Sequence, residues 1–266
     1  MAHDDHSLRL RRVLVGFDGS EGGRDAVTLA ATLAEPDAEF VLVDVIPPVG
    51  IFTMLSEIAE DEAFDLIAIG HCYPGAVGRA LMGSTGQGLA HGATAPIAAA
   101  PRLYADLPPA PIRTIVVAWD GGPEAREALA HAEALARREG ARLRLVTIEV
   151  ETPSLPGMVG WEPTGRQTPD EVLAAGIEAV GADVKVDGRC IDGGSIAAEI
   201  AEFCAQGVDL VVVGSRGYGT LGRVLVGSVA NGLLHRASCP VLVVPRPALA
   251  PGESDPRAAV AIGAGR

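Results

Sequence analysis

The residues with the clearest capacity for chemistry sit in a glycine-rich stretch, "GSRGYGTLGRVLVGS" (214–228), directly after the apolar run Leu210–Val213. A strand that ends in glycines and leads into a helix presents unpaired backbone N–H groups and the positive end of a helix dipole. That arrangement binds anions, most often phosphate. Gly214 ends its strand, Gly217 and Gly219 let the backbone come close, and Gly227-Ser228 opens the next helix. The Ser228 hydroxyl can cap that helix or donate to a phosphate oxygen, and Arg216 and Arg223 add positive charge nearby. The pattern G-x-x-x-x-G-K-[ST] is absent, and the single lysine, Lys185, lies elsewhere. The stretch is therefore not the phosphate loop of the common ATPases. Ser228 has no histidine and acid at a readable spacing, which argues against a nucleophile.

The stretch occurs twice. "GHCYPGAVGRALMGS" (70–84) follows Leu66–Ile69, and Gly70–Arg102 aligns without a gap to Gly214–Arg246, with 14 of 33 positions identical. The shared residues include Gly83/Gly227, Ser84/Ser228, Arg79/Arg223, His91/His235 and Pro96/Pro240. Upstream, "VLVGFDGSEGGRDAV" (13–27) matches "IVVAWDGGPEAREAL" (115–129) and sets Asp18 on Asp120. The two offsets, 144 and 102, differ by 42 residues. In the second half that interval holds "TPDEVLAAGIEAV", whose Thr168, Pro169 and Glu171 make a capping box with Pro at the first helical position. The strand-like "DVKVDGRC" and the helix "SIAAEIAEFCAQG" follow. In the first half one short helical pattern, "TMLSEIAEDEAF", separates Val45 from Asp65. The chain reads as a duplication whose first copy has lost about one helix and one strand.

The elements that must carry these loops are short apolar strands alternating with amphipathic helices. The expected strands are Val13–Val15, Phe40–Val45, Leu66–Ile69 and Ile97–Ala100, then Ile115–Val117, Leu143–Ile148, Val184–Val186, Leu210–Val213 and Val241–Val244. Such runs indicate a parallel sheet covered on both faces. "YADLPPAPIR" (104–113) is the expected linker, and 247–266, rich in Pro, Ala and Gly, the expected disordered tail. Hydrophobic content of 48% supports a real core, and no apolar run reaches the length of a membrane span. Met1–Arg12 has no apolar stretch, so a secretory leader is not expected and the cytoplasm is the expected location. With 34 acidic residues against 21 basic ones, nucleic acid is not an expected partner. Cys72, Cys190, Cys204 and Cys239 form no C-x-x-C pair and read as reduced structural thiols.

Gly214, Gly217, Gly227 and Ser228 are spaced as G-x2-G-x9-G-[ST]. With an Asp closing the first strand and "CPVLVVPR" at the end, the second half resembles a universal stress protein domain. The whole chain resembles the tandem, two-domain members of that family. The resemblance covers residues 11–104, a truncated and degenerate copy, and 111–246, a complete one. It implies an α/β fold of two open parallel-sheet domains with strand order 3-2-1-4-5. It also implies an adenine nucleotide, ATP with Mg²⁺ on its phosphates, in the crevice where strand order reverses. The general rule for open α/β sheets points to the same place. By position, Asp120 and Ile148 would border the adenine and Gly214 would approach the ribose. Gly217, Gly227, Ser228 and Val229 would hold the phosphates, with Arg216 nearby. The halves would form an intramolecular pseudo-dimer, with final strands such as Val241–Val244 as candidates for their contact. A homodimer of two chains is a further alternative.

The first half departs from that motif: Tyr73 takes the second glycine position and Cys72 replaces the arginine. A Cβ and a phenol where backbone should touch phosphate would obstruct the loop, so the nucleotide is expected in the second half. There "WDGGPE" replaces "DGS", which removes a hydroxyl near the site. Structural readings stand beside each functional one. Asp18 and Asp120 could simply cap a helix, and His91 and His235 suit a helix C-terminus. Arg79 and Arg223 could pair with carboxylates between the halves, and Trp161 could pack in a surface loop rather than cover the adenine. The leading function is a stress-response regulatory protein whose occupancy by ATP changes a surface read by protein partners, with at most weak hydrolysis. The alternative is a scaffold of the same fold that binds no nucleotide.

Overall fold

The computed structural model describes residues 9–44, 51–70, 95–149, 167–192, 195–215 and 227–245. Among these residues, runs rich in Val, Leu and Ile form nine strands. They are β1 (Arg12–Phe17), β2 (Glu39–Asp44), β3 (Leu66–Ile69), β4 (Ile97–Ala99), β5 (Thr114–Ala118), β6 (Arg142–Glu149), β7 (Val186–Asp192), β8 (Leu210–Gly214) and β9 (Val241–Val244). They pair into one sheet of order β2-β1-β3-β4-β9-β8-β5-β6-β7. Every neighbouring pair is parallel except β4 and β9, which run antiparallel with Ala98 opposite Leu242. The sheet thus has two arms joined at their final strands. One arm, β7-β6-β5-β8-β9, has the order 3-2-1-4-5. The other, β2-β1-β3-β4, is the same order with no third strand among the described residues.

One strand differs from its sequence reading. The run Val184–Val186 suggests a short strand, but β7 begins at Val186 and continues to Asp192, paired residue for residue with β6 up to Glu149. An edge strand needs apolar residues toward one face only, so its ladder outruns its hydrophobic run. Gly188 permits this: a Cβ there would lie 2.9 Å from Ile177 and 3.3 Å from Leu173 on the helix above.

Among the described residues six helices cover the sheet: α1 (Glu21–Leu33), α2 (Ile51–Asp61), α3 (Pro123–Glu139), α4 (Pro169–Ala179), α5 (Ile196–Cys204) and α6 (Ser228–Arg236). α4 starts on the capping box read from its sequence, with Thr168 and Glu171 bonded reciprocally. α3 has Pro123 in its first turn and ends at Gly140, whose φ of +67° suits glycine. Alternate strand residues face opposite sides. Val13, Val15, Ile115, Val117, Leu143 and Leu145 join α1, α3 and α4 in one continuous core. On the other face Val116, Val211, Val213 and Val243 pack with α5 and α6, while Leu14, Ile67 and Ile97 pack with α2. Among the described residues no helix is long and apolar enough to cross a membrane.

Tertiary contacts repeat at the same two offsets as the sequence. Asp65 Oδ2 accepts the N–H groups of Arg11 and Arg12, both at 2.9 Å. Asp209 Oδ2 does the same for Arg113 and Thr114, both at 2.8 Å. Each carboxylate fastens the start of its arm's first strand to the start of the strand beside it. The connection between the arms is also fastened. Buried Asp25 on α1 accepts from Leu103 N and Ala105 N, at 3.1 and 2.8 Å, and so holds a 3-10 turn at Tyr104–Asp106 inside the stretch read as a linker.

Candidate functional site

The cleft forms where strand order reverses around β5, at the C-terminal ends of β5, β6 and β8. It holds about 100 Å³ between these strands and the first turns of α3, α5 and α6. Among the described residues its walls are mostly apolar: Ala118, Val146, Ile148, Ile196, Ile200 and Val213 contribute, and Asp120 and Glu124 bring carboxylates. Gly214, Gly227, Val229 and Ala230 complete the lining on the β8 and α6 side.

Three helices enter this cleft by their N-termini, and none is capped by its own cap residue's side chain. The cap residues are Gly122 for α3, Ser195 for α5 and Gly227 for α6. By contrast α1 and α4, whose N-termini do not line the cleft, carry side-chain caps at Ser20 and Thr168. In α6 the first backbone bond to a cap carbonyl runs from Asn231 N to Gly227 O, 2.9 Å long. The N–H groups of Ser228, Val229 and Ala230 precede it and have no carbonyl within the helix. The site concentrates positive backbone charge beside an apolar slot. Such a pair of surfaces suits a ligand with an anionic end and a flat, weakly polar end.

The expected residues distribute as follows. Asp120, Ile148, Gly214, Gly227 and Val229 all line the cleft. Ser228 is exposed as the first residue of α6. Arg216 and Gly217 lie outside the described residues, as do Cys72, Tyr73, Arg79, Gly83, Ser84, His91, Trp161 and Arg223. Asp120 is not the cap of α3: its Oδ1 accepts from Gly122 N at 2.8 Å, closing the turn that aims the helix. Asp18 accepts from Ser20 N at 3.0 Å in the same way, and Ser20 Oγ caps α1. His235 lies in the last turn of α6, its Nδ1–H donating to Asn231 O at 2.6 Å.

Gly214 has a packing reason for being glycine. A Cβ there would lie 2.6 Å from the carbonyl carbon of Glu124 and 2.9 Å from its Cβ, because β8 runs close under the first turn of α3. In the other arm a Cβ on Gly70 would come closer still to the matching residue, Gly22, overlapping its backbone. Trp119, next to Asp120, is a residue that the sequence analysis passed over. Its indole N–H donates to Val172 O at 2.7 Å, its carbonyl accepts from the buried Thr147 hydroxyl at 2.7 Å, and Gly176 of α4 makes room for its ring. Through its indole and its carbonyl Trp119 therefore ties α4 and β6 to the end of β5 behind the cleft. A tryptophan directly preceding the strand-end Asp was the available signal.

Residues 111–245 match the sequence model of the universal stress protein family. A universal stress protein of Thermus aquaticus is 30% identical over 135 residues, covering 50% of this chain and 98% of that one. A universal stress protein of Mycolicibacterium smegmatis is 31% identical over 199 residues; the alignment takes in 70% of this chain and 64% of its relative. The crystal structure of a universal stress protein from Archaeoglobus fulgidus superposes with a TM-score of 0.65 at 16% identity, over 90% of this chain and 98% of that chain.

Proposed function

The chain belongs to the universal stress protein family, and from that premise we propose that its second arm binds an adenine nucleotide, ATP, and serves as a regulatory module in a stress response. The observation that carries this reading is the convergence of three helix N-termini without side-chain caps on one apolar cleft at the reversal of strand order. The slot between Val146, Ile148, Ile196 and Val213 suits a purine, and Asp120 offers an acceptor to an amino or hydroxyl group of the nucleoside. Val229 N–H, Ala230 N–H and the exposed Ser228 hydroxyl suit phosphate oxygens. Among the described residues no group of three or more His, Cys, Asp or Glu could hold a metal ion, so Mg²⁺ would arrive on the phosphates. The same resemblance that names the ligand gives Arg216 and Gly217 to it.

The chain itself reads as a tandem of units 11–104 and 111–246, the first lacking a strand and a helix. The recurrence of the Asp65/Asp209 fastening and the Gly70/Gly214 approach supports that division. Gly214 also supports a second reading, a scaffold whose glycines serve packing and whose surface meets protein partners. Calorimetry with ATP and Mg²⁺ on the whole chain, beside Gly217→Tyr and Ser228→Ala, separates the readings. One site per chain, lost in Gly217→Tyr and weakened in Ser228→Ala, is the expected result. Two sites would mean that the first arm binds as well, and no binding to any of the proteins would leave the scaffold.

A further inference from the structure

Among the described residues the first arm has no strand beyond β2, which stands at the edge of the sheet. In the second arm β6 has β7 beside it and α4 above it, and Leu143 and Leu145 are 0% exposed. Val13 pairs with Phe40 as Ile115 pairs with Leu143, so the matching residues on β2 are Phe40 and Leu42. These are 39% and 51% exposed. Among the described residues β2 has β1 as its one neighbour. A strand in that position offers its outer row of backbone groups as a template for another strand.

We propose that β2 is a docking edge for the β7 edge of a second copy of this chain, paired antiparallel. Charge selects this occupant. Glu39, which accepts from Arg12 Nε at 3.3 Å, and Asp44 stand exposed at the two ends of β2, in a chain of net charge −13. Two β2 strands paired with each other would bring acidic ends together. β7, at the far end of the same sheet, exposes Lys185 just before it and Arg189 within it, while Asp183 and Asp187 are paired with Arg137 and Arg144 and Asp192 stands at its far end, beyond the register with β2. The Arg189 guanidinium is already positioned, 5.2 Å from the centre of the Phe203 ring. An antiparallel register with Glu39 opposite Arg189 also sets Phe40 beside Gly188 and Leu42 beside Val186. Antiparallel joining keeps the two copies' helix layers on matching faces, as it does at β4 and β9 within the chain. The neighbour's α4 then lies on the side where Phe40 and Leu42 are bare. Because the two surfaces differ, the contact is head-to-tail and continues beyond a dimer.

Sedimentation velocity on the full chain over a range of concentrations and salt tests the proposal. The expected result is a mass that rises with concentration and falls with added salt. Glu39→Arg and Arg189→Glu should each weaken self-association roughly tenfold, and the chain carrying both substitutions should recover it. Leu42→Thr, on an exposed site, should weaken association with the melting temperature unchanged. A single monomer mass at all concentrations would overturn the proposal, as would association indifferent to Glu39→Arg. Failure of the double variant to recover, or a closed dimer unaffected by Arg189→Glu, would overturn β7 as the partner.

Discussion

Replacing Gly214 by alanine separates packing from ligand contact. The added methyl would lie 2.6 Å from the carbonyl carbon of Glu124 and 2.9 Å from Glu124 Cβ. Those atoms belong to the first turn of α3 and cannot rotate aside, so the helix must move off the strand. Overpacking of this kind costs about 1–3 kcal/mol. The unfolded chain also loses freedom when glycine becomes alanine, which returns about 0.4–1 kcal/mol. A net loss of about 1–2 kcal/mol corresponds to roughly 2–6 °C in melting temperature for a chain of this size. Gly70→Ala, whose methyl would overlap the backbone of Gly22, should lower it further. Scanning calorimetry and urea melts on both variants without nucleotide give the comparison. If Gly214→Ala melts within a degree of the parent, the close approach of β8 to α3 does not constrain this position. A large loss of stability, together with weaker nucleotide binding, would mean that the binding defect passes through α3 and is no evidence of a glycine–ribose contact.

Further outcomes follow from single interactions. Asp209→Ala removes an acceptor shared by the N–H groups of Arg113 and Thr114 and should destabilise by about 1–3 kcal/mol in urea melts; a change below about 0.5 kcal/mol would contradict the fastening role. The Arg144 guanidinium holds the Asp187 carboxyl below the usual carboxylate range, with Nη2 2.9 Å from Oδ2. Its contribution is therefore complete above the unfolded value near pH 4 and lost as pH falls through the lower native value. Asp187→Asn should be less stable than the parent at pH 7 and approach it in acid, and a gap that persists at pH 2 would refute this. Contact with Cys239 and burial push the Cys204 thiol up, and both side chains are buried while Cys190 is half-buried. Mass spectrometry after brief alkylation at pH 8 should find Cys190 modified well ahead of Cys204 and Cys239, whose labelling should require denaturant. Ser228→Ala should leave stability within about 0.5 kcal/mol, since an exposed residue that caps nothing is lost; a larger fall in the melting temperature would give the hydroxyl a structural role.

The repeat of glycines, the Val/Leu/Ile runs and the capping box at Thr168 were enough to determine the class of fold and to indicate a first copy shorter by about a strand and a helix, while the strand order of the second arm came from the resemblance to a known family. These features are local or periodic, and a chain displays them without folding. Asp120, Ile148, Gly227 and Val229 were placed together by their match to the family motif, and the carboxyl ends of parallel strands do share one edge of the sheet, with the crevice where strand order reverses. Tertiary structure alone decided what depends on distant segments meeting. Gly214 is confined by Glu124, 90 residues away in the chain, and no local pattern marks a helix turn crossing above a strand end. Asp25 and Asp209 look like ordinary surface acids until backbone N–H groups from remote strands and turns arrive at their oxygens. The length of β7 depended on its pairing with β6 rather than on its own apolar residues. Whether Phe40 and Leu42 were core or surface turned on a covering helix that their arm lacks among the described residues, because burial is a property of what lies above a residue and not of the residue itself.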